Sequence, residues 1–109
     1  MAKTATKKMA LLTTTIERIW LSQIVARTKK IEYREAKPYW TDRLKKVSAP
    51  FLLRLINGMQ PKAPEVTVVI KKVLKRDGEY QLHIGSIASV KNWDKKRSRP
   101  THPFKRKAA

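Results

Sequence analysis

The sequence predicts a small α+β domain with two short helices and about five or six strands. Apolar residues spaced four apart predict a helix near residues 16–26. Residues 65–74 are rich in β-branched side chains, which favour a strand. The Asp77-Gly78 pair that follows is a hairpin signal, because Asp-Gly suits a type I′ turn. With 109 residues the chain has room for one modest core, and therefore for one domain.

The first helix is predicted after a short strand over residues 9–13, with the threonine run that follows supplying its N-cap. It is expected to run from about Ile16 to Ala26. Its apolar stripe is predicted to face the core, because an apolar stripe of this width is typical of a core-facing helix. The stripe consists of Ile16, Trp20, Leu21, Ile24 and Val25. Trp20 is therefore interpreted as a core residue.

A strand over residues 30–35 is predicted next, and Lys37-Pro38 ends it. A second helix should follow over residues 39–47. On that helix Trp40 and Leu44 are four residues apart, so both can pack inward.

The second half of the chain is predicted to form three strands and a tail. Residues 51–57 form the first of these strands, and Asn57-Gly58 marks the turn after it. Residues 65–74 form the next strand. Residues 80–90 form its hairpin partner, with an irregularity expected at Gly85.

The strand over residues 30–35 carries an unusual alternation of charged and apolar residues. Because successive side chains of a strand point to opposite faces, Lys30, Glu32 and Arg34 should share one face. Ile31 and Tyr33 should share the other and face the core. A face with both charge signs can hold a polar ligand, although a solvated face with surface ion pairs would have the same pattern.

Three charged residues of this segment have the spacing K-x-x-E-x-R: Lys29, Glu32 and Arg34. They are followed by Lys37-Pro38-Tyr39-Trp40 and Arg43-Leu44. This arrangement resembles the ASCH family of the PUA-like superfamily, most strongly over residues 24–46. Members usually carry a glycine two residues before the motif lysine, where this chain has Arg27. The resemblance implies a PUA-like β pseudo-barrel with the three motif residues lining a cleft.

The charge of the chain predicts a polyanionic partner. There are 26 Lys and Arg against 8 Asp and Glu, for a formal net charge of +18. Residues 1–8 and 95–109 are basic without any acidic residue, and we interpret them as tails on a domain over residues 9–94. Since the domain is itself basic, nucleic acid is favoured over a merely solubilising role for the charge.

Several classes of protein are excluded or disfavoured. The chain has no cysteine, so disulfides and thiolate chemistry are excluded. With His83 and His102 as the only histidines, neither a metal nor another cofactor is expected. No apolar run is long enough to span a membrane and no secretory signal is visible, so we expect no membrane partner and a cytoplasmic location.

The resemblance implies a nucleic-acid-binding module, with RNA favoured. Lys29 would supply a cationic donor, Glu32 would accept from an exocyclic amine, and Arg34 would either hold Glu32 in place or bind phosphate. Tyr33, Tyr39 or Trp40 could stack on a base, with a core position preferred for Tyr33 and Trp40. Further nucleic-acid contacts are predicted at Lys30, Arg43, Lys71, Lys72, Lys75, Arg76, Lys95, Lys96, Arg97 and Arg99. Charged hairpin residues can also protect a sheet edge from aggregation.

Two other functions are left open. The family includes amidohydrolases of N4-acylcytidines and has been associated with ribonuclease activity, so Lys29, Glu32 and Arg34 could be catalytic. In those amidohydrolases, however, a threonine stands where this chain has Glu32. The protein could instead be a structural component of a ribonucleoprotein particle. The sequence does not specify the oligomeric state, and a monomer is the default expectation.

Overall fold

A curved five-stranded sheet dominates the computed structural model, which describes residues 9–102. Within that range the elements are β1 (Leu11–Thr15), α1 (Arg18–Val25), β2 (Ile31–Glu35), α2 (Pro38–Lys45), β3 (Phe51–Ile56), β4 (Glu65–Arg76), β5 (Glu79–Lys91), β6 (Trp93–Asp94) and β7 (Arg99–Pro100). The first five strands form the large sheet, and β6 and β7 form a small one. The predicted α+β class with two short helices is confirmed.

The large sheet is mixed. Its strands lie in the order β1-β3-β4-β5-β2, so β1 and β2 are the two edges. β1 pairs with β3 in parallel, whereas the other pairs are antiparallel. Between the parallel strands the chain makes a long crossover through α1, β2 and α2.

Two arginines bridge the seam between the edge strands. Arg34 of β2 donates from Nη2 to the Thr15 carbonyl of β1 over 2.9 Å. Arg43 of α2 donates from Nη2 to the Thr13 carbonyl over 2.6 Å. Because these carbonyls lie on an edge strand, the guanidinium groups satisfy acceptors that would otherwise need water. The sheet therefore curls into a barrel-like form whose seam is held by side chains.

The core fills the inside of this curve. Alternate residues of β3 and β4 point inward, and α1 contributes its own buried pair, Leu21 and Ile24. Leu53, Val68 and Leu82 are among the core residues with no exposed surface. Trp40 of α2 is also buried, as predicted, and packs against the same cluster.

The start of α1 differs from the prediction. The helix begins at Arg18, and its N-cap is Glu17, which makes no side-chain capping bond. The threonines expected to cap it lie in β1 instead. Within the helix the buried stripe consists of Leu21 and Ile24, and Ile16, which precedes the helix, is also buried. Trp20 falls beside that stripe and is 40% exposed, so its prediction as a core residue was wrong.

The hairpin of β4 and β5 matches its sequence signals. Asp77 and Gly78 both have positive φ, at 50° and 76°, as a type I′ turn requires. The ladder changes register between the Val68–Ile87 and Ile70–Ile84 pairs, on either side of Gly85. The predicted irregularity is confirmed.

The segment after residue 94 is more ordered than expected. Residues 95–102 were predicted as part of a tail, yet β6 and β7 pair there and Pro100 is buried. The Asp94 carboxylate accepts from the backbone N–H groups of Lys96 and Arg97, which closes the turn between the two strands. The predicted tail over residues 1–8 and the rest of the predicted C-terminal tail, residues 103–109, lie outside the described residues.

Arg27 adopts a backbone conformation that suits glycine. Its φ is 66°, in the left-handed region, directly after α1. The Arg27 N–H donates to the Ile24 carbonyl over 3.0 Å, so the turn is tight. This is the position at which ASCH members usually have glycine, and the left-handed turn forms here despite the side chain.

Replacing Arg27 by glycine should stabilise the protein. A non-glycine residue in the left-handed region costs about 1–2 kcal/mol, and the greater flexibility of glycine in the unfolded chain cancels about 0.5–1 kcal/mol of the gain. We expect Arg27→Gly to raise the free energy of unfolding by about 0.5–1 kcal/mol in urea titrations. Arg27→Ala is the control, because it removes the same side chain but keeps the strain. Equal stabilities of the two variants would contradict the assignment of strain.

Candidate functional site

A cleft of about 630 Å³ lies along the seam between the two edge strands. We call it the motif cleft. Its walls come from the end of β1, the start of α1, β2 and the start of α2. The lining residues are Thr15, Ile16, Glu17, Trp20, Glu32, Tyr33, Arg34, Glu35, Lys37, Tyr39 and Trp40.

Glu32 is the buried charge of the motif cleft. The residue is 5% exposed, and cations approach both of its carboxylate oxygens. Lys29 Nζ lies 3.4 Å from Oε1. Arg34 approaches Oε2 with Nη2 at 2.6 Å and Nε at 2.9 Å. A carboxylate buried to this extent requires such pairing, because the loss of hydration is otherwise costly. The structure thus brings the three motif residues together as predicted.

The two faces of β2 are the reverse of the prediction. Side chains do alternate, but Glu32 points into the barrel while Tyr33 is 46% exposed. Ile31 is half-buried. The reversal is possible because Lys29 and Arg34 compensate the charge of the inward carboxylate. Glu32 therefore takes the inward face that hydrophobicity assigns to Tyr33.

Lys29 lies between aromatic rings rather than in the lining of the motif cleft. Its side chain is 12% exposed, and Nζ lies 4.9 Å from the Trp20 ring centroid and 5.4 Å from that of Tyr33. Cation–π attraction at such distances holds an ammonium against a ring face. Lys29 therefore positions Glu32 and both aromatic side chains.

Aromatic side chains form the rim of the motif cleft. Trp20 donates from Nε1 to Glu17 Oε1 over 3.0 Å, which fixes the orientation of its indole. Tyr39 is 60% exposed and meets the buried Trp40 edge-to-face, with 5.9 Å between ring centroids. Arg43 Cζ lies 5.0 Å from the Tyr39 ring. Exposed rings held in this way can offer a flat surface to a ligand.

The lining of the motif cleft carries charges of both signs. Glu17, Glu32 and Glu35 contribute carboxylates, while Arg34 and Lys37 contribute cations. Such a lining does not favour a phosphate, which would be repelled by the acidic groups. It suits a neutral, hydrogen-bonding group such as a nucleobase.

The remaining predicted nucleic-acid contacts are not in the lining of the motif cleft, although Arg43 packs on the Tyr39 ring at its rim. All of them are exposed except Arg43, which is half-buried: Lys30, Lys71, Lys72, Lys75, Arg76, Lys95, Lys96, Arg97 and Arg99. Lys71 and Lys72 are neighbours in sequence, and both are exposed at the point where the β4–β5 ladder shifts register. These residues form basic surface around the domain rather than a second part of the cleft.

A second buried carboxylate pairs with an arginine on the neighbouring strand. Glu65, at the start of β4, is 8% exposed, and Arg54 of β3 binds both of its oxygens through Nε and Nη2. This hydrogen-bonded guanidinium lowers the pKa of the Glu65 carboxyl and raises that of Arg54.

His83 is the titratable group on the outer face of β5. Burial and the neighbouring charges of Lys72 and Lys71 lower the pKa of its imidazole. Its Nε2 atom is buried and has no hydrogen-bond partner within residues 9–102. It lies outside the motif cleft and takes no part in it.

Within residues 9–102 no three His, Asp or Glu side chains cluster in a way that could hold a metal ion. None of the helices in that range is both long and apolar enough to cross a membrane.

Sequence reasoning missed the part of the motif cleft that precedes β2. Thr15 was predicted only as part of the threonine run that caps the helix, Glu17 was assigned no role, and Trp20 was assigned to the core. A signal was present, because Glu17 and Trp20 are three residues apart and can interact on the first turn of a helix. Its use would have required placing the start of α1 correctly.

No family model matches the chain, and a search of the curated proteins found no match. The resemblance to the ASCH family therefore stays a prediction that rests on the motif residues.

Neutralising Glu32 should destabilise the fold. In Glu32→Gln the largely buried Lys29 and Arg34 lose their counter-charge, and we expect the free energy of unfolding to fall by about 1–3 kcal/mol. The control is Glu35→Gln, which breaks the Lys37–Glu35 pair, whose side chains are 70% and 73% exposed. That variant should change stability by less than about 0.5 kcal/mol. Equal effects in urea titrations would contradict a special role for Glu32.

The Arg54–Glu65 pair should make stability depend on acid pH. Because the folded-state pKa of Glu65 lies below its ordinary value of 4.5, the stabilisation is present above pH 4.5 and is lost as pH falls through the folded-state pKa. The stability advantage of the wild type over Glu65→Gln should therefore shrink as urea titrations move from about pH 6 to about pH 3. A constant difference across that range would contradict this linkage.

Proposed function

We propose that this protein binds single-stranded nucleic acid, with RNA favoured, and that the motif cleft receives one unstacked base. The observation that carries the proposal is an exposed, oriented indole, Trp20, in the same cleft as a buried carboxylate held by two cations, Glu32. A stacking surface next to a fixed hydrogen-bond acceptor is the arrangement by which proteins hold single bases.

Glu32 keeps capacity to accept a further hydrogen bond. A carboxylate has about four lone-pair sites. Arg34 makes both of its contacts to Oε2, whereas Lys29 is the cation at Oε1. One site on Oε1 is therefore open to a ligand donor. The exocyclic amine of cytosine or adenine supplies such a donor.

The basic surface outside the motif cleft supplies the affinity for phosphates. Lysines and arginines on β4, on α2 and in the β6–β7 turn are solvent-exposed, and the whole chain has a net charge of +18. Each phosphate that they neutralise releases counterions, so binding should weaken steeply with salt. Base contacts in the motif cleft would add a preference among bases, and this preference would depend less on salt concentration than the phosphate contacts do.

Hydrolysis is the weaker candidate. Both oxygens of Glu32 lie within salt-bridge distance of a cation, which makes this carboxylate a poor general base. No observation in the motif cleft specifically favours a nucleophile. Incubation with N4-acetylcytidine alongside the binding experiment tests this alternative directly.

Removing the Trp20 ring should weaken binding. Stacking of a base on an aromatic side chain contributes about 1–3 kcal/mol, so Trp20→Ala should raise the Kd for a labelled single-stranded RNA about 5- to 150-fold. The matched control is Ile19→Ala, since Ile19 is the neighbouring helix residue and is 57% exposed. Fluorescence anisotropy with the full chain over a salt series measures both variants.

The salt series separates the cleft from the basic surface. A weaker affinity of Trp20→Ala at every salt concentration, with an unchanged salt slope, supports the proposal. Identical affinities of Trp20→Ala and Ile19→Ala would overturn it, because binding would then depend on surface charge alone. Turnover of N4-acetylcytidine by the wild type would replace it with the hydrolase alternative.

A further inference from the structure

A second concave surface of about 310 Å³ lies at the start of β4, and we call it the second cleft. Its lining comes from the end of β3, the loop after it, the start of β4 and the turn before β6. The lining residues are Arg54, Ile56, Gly58, Met59, Gln60, Lys62, Ala63, Glu65 and Asn92. Neither the K-x-x-E-x-R motif nor the proposed base site uses any of them.

The two clefts are neighbours at the same end of the sheet. Thr15 lines the motif cleft and Ile56 lines the second cleft, and the two residues are register partners on β1 and β3. Paired strands lie about 4.8 Å apart. One lining residue of each cleft therefore lies on a neighbouring strand at the same level of the sheet.

Arg18 stands at the junction of the two clefts. It is exposed, and its Nε donates to Asn57 Oδ1 over 3.1 Å. Asn57 in turn donates from Nδ2 to the Ile16 carbonyl over 3.0 Å. This chain of hydrogen bonds links a residue that lines the motif cleft to the turn that leads into the second cleft. It holds the Arg18 guanidinium beside Asn57, between a lining residue of the motif cleft and the turn of the second cleft.

Arg54 is a preorganised donor in the second cleft. Glu65 holds its Nε and Nη2 atoms, which fixes the plane of the guanidinium. Within residues 9–102 Nη1 makes no hydrogen bond, and the side chain is 41% exposed. A donor that is already immobilised loses little entropy when a ligand oxygen binds to it.

The loop of the second cleft adds an apolar surface and a polar side chain. Met59 is 90% exposed, the largest exposure among the big apolar side chains of residues 9–102. Gly58, with φ at 106°, brings the Gln60 amide so close that a Cβ at Gly58 would lie 2.2 Å from Gln60 Oε1. A flexible thioether can pack against a base face, and an amide can bond a base edge.

The charge of the second cleft complements that of the motif cleft. Arg54 and Lys62 are cations, and Arg18 bonds Asn57 in the turn before the loop, whereas the one carboxylate, Glu65, is already paired with Arg54. The motif cleft has three carboxylates in its lining. A nucleic-acid strand placed across both would have a base beside the acidic lining and its next phosphates beside the basic one.

We propose that the two clefts form one track for consecutive nucleotides of a single strand, with a phosphate at Arg18 and the adjacent nucleotide in the second cleft. The proposal rests on the function proposed for the motif cleft. It specifies the ligand as an oligonucleotide rather than a free nucleoside or nucleotide.

The test compares two double variants that remove equal charge. Arg18→Gln with Lys62→Asn removes two cations from the track. Lys45→Gln with Lys46→Gln removes two exposed lysines at the far end of α2 and is the control. Asparagine is chosen at Lys62 because that residue has φ at 57°, which asparagine tolerates. Met59→Ala is a third variant that changes no charge.

The ligands are a labelled oligoadenylate of about six nucleotides, which matches a short single-strand site, and adenosine 5′-monophosphate. Anisotropy gives the affinity for the first, and the Trp20 indole N–H resonance follows binding of the second. We expect the track variant to weaken hexanucleotide binding about tenfold beyond the control, and Met59→Ala to weaken it about threefold while leaving mononucleotide binding unchanged.

Three results would overturn the track. The two double variants could weaken hexanucleotide binding equally, Met59→Ala could have no effect, or the mononucleotide could bind as tightly as the hexanucleotide. In each case Trp20→Ala still reports on the motif cleft alone, so the proposed function can stand while its extension fails. Loss of the Trp20 effect instead removes the proposed function itself.

Discussion

The Arg34 guanidinium connects the fold of this protein to its candidate site. It bonds the buried Glu32 carboxylate on its own strand and the Thr15 carbonyl on the opposite edge of the sheet. The first contact compensates a charge that could not otherwise be buried, and the second satisfies a backbone acceptor at an open strand edge. Because one side chain makes both contacts, the barrel seam and the motif cleft are held by the same interaction. A substitution that displaces Arg34 should therefore alter both the seam of the barrel and the motif cleft.

Affinity and selectivity are divided between different surfaces in the proposed mode of binding. The motif cleft has rigid rings and mixed charge, since Trp20 is fixed by Glu17 and Lys29 lies against Trp20 and Tyr33. The long β4–β5 hairpin and the turn after β6 present lysines and arginines to solvent. Phosphate contacts from such surfaces position a strand without reading it, whereas an enclosed acceptor such as Glu32 distinguishes bases. The second cleft would combine phosphate affinity with a fixed geometry, because Arg54 and Arg18 are cations that hydrogen bonds hold in place.

The candidate site was only partly predictable from the sequence. The K-x-x-E-x-R spacing identified Lys29, Glu32 and Arg34, and the structure brings them together. Hydrophobicity then assigned the wrong face of β2 to the core. The cost of burying Glu32 is offset by its pairing with Lys29 and Arg34, which a hydrophobicity pattern does not include. Trp20 was misplaced for a different reason. The buried stripe of α1 is narrower than predicted: Leu21 and Ile24 are buried, whereas Trp20 lies at the edge of the stripe, where its indole bonds Glu17.

The sequence by itself determined the features that depend on local backbone preference. Asp77-Gly78 forms its type I′ turn, Pro38 begins α2, and the β-branched run from Glu65 forms a strand. In these cases the favoured φ and ψ values of a few adjacent residues decide the outcome. Only the tertiary structure decided which face of β2 turns inward, how Arg54 pairs with Glu65, and that residues 99–100 join a strand. Each of these depends on contacts between residues that are not adjacent in sequence, and these contacts outweigh local preference once the chain is folded.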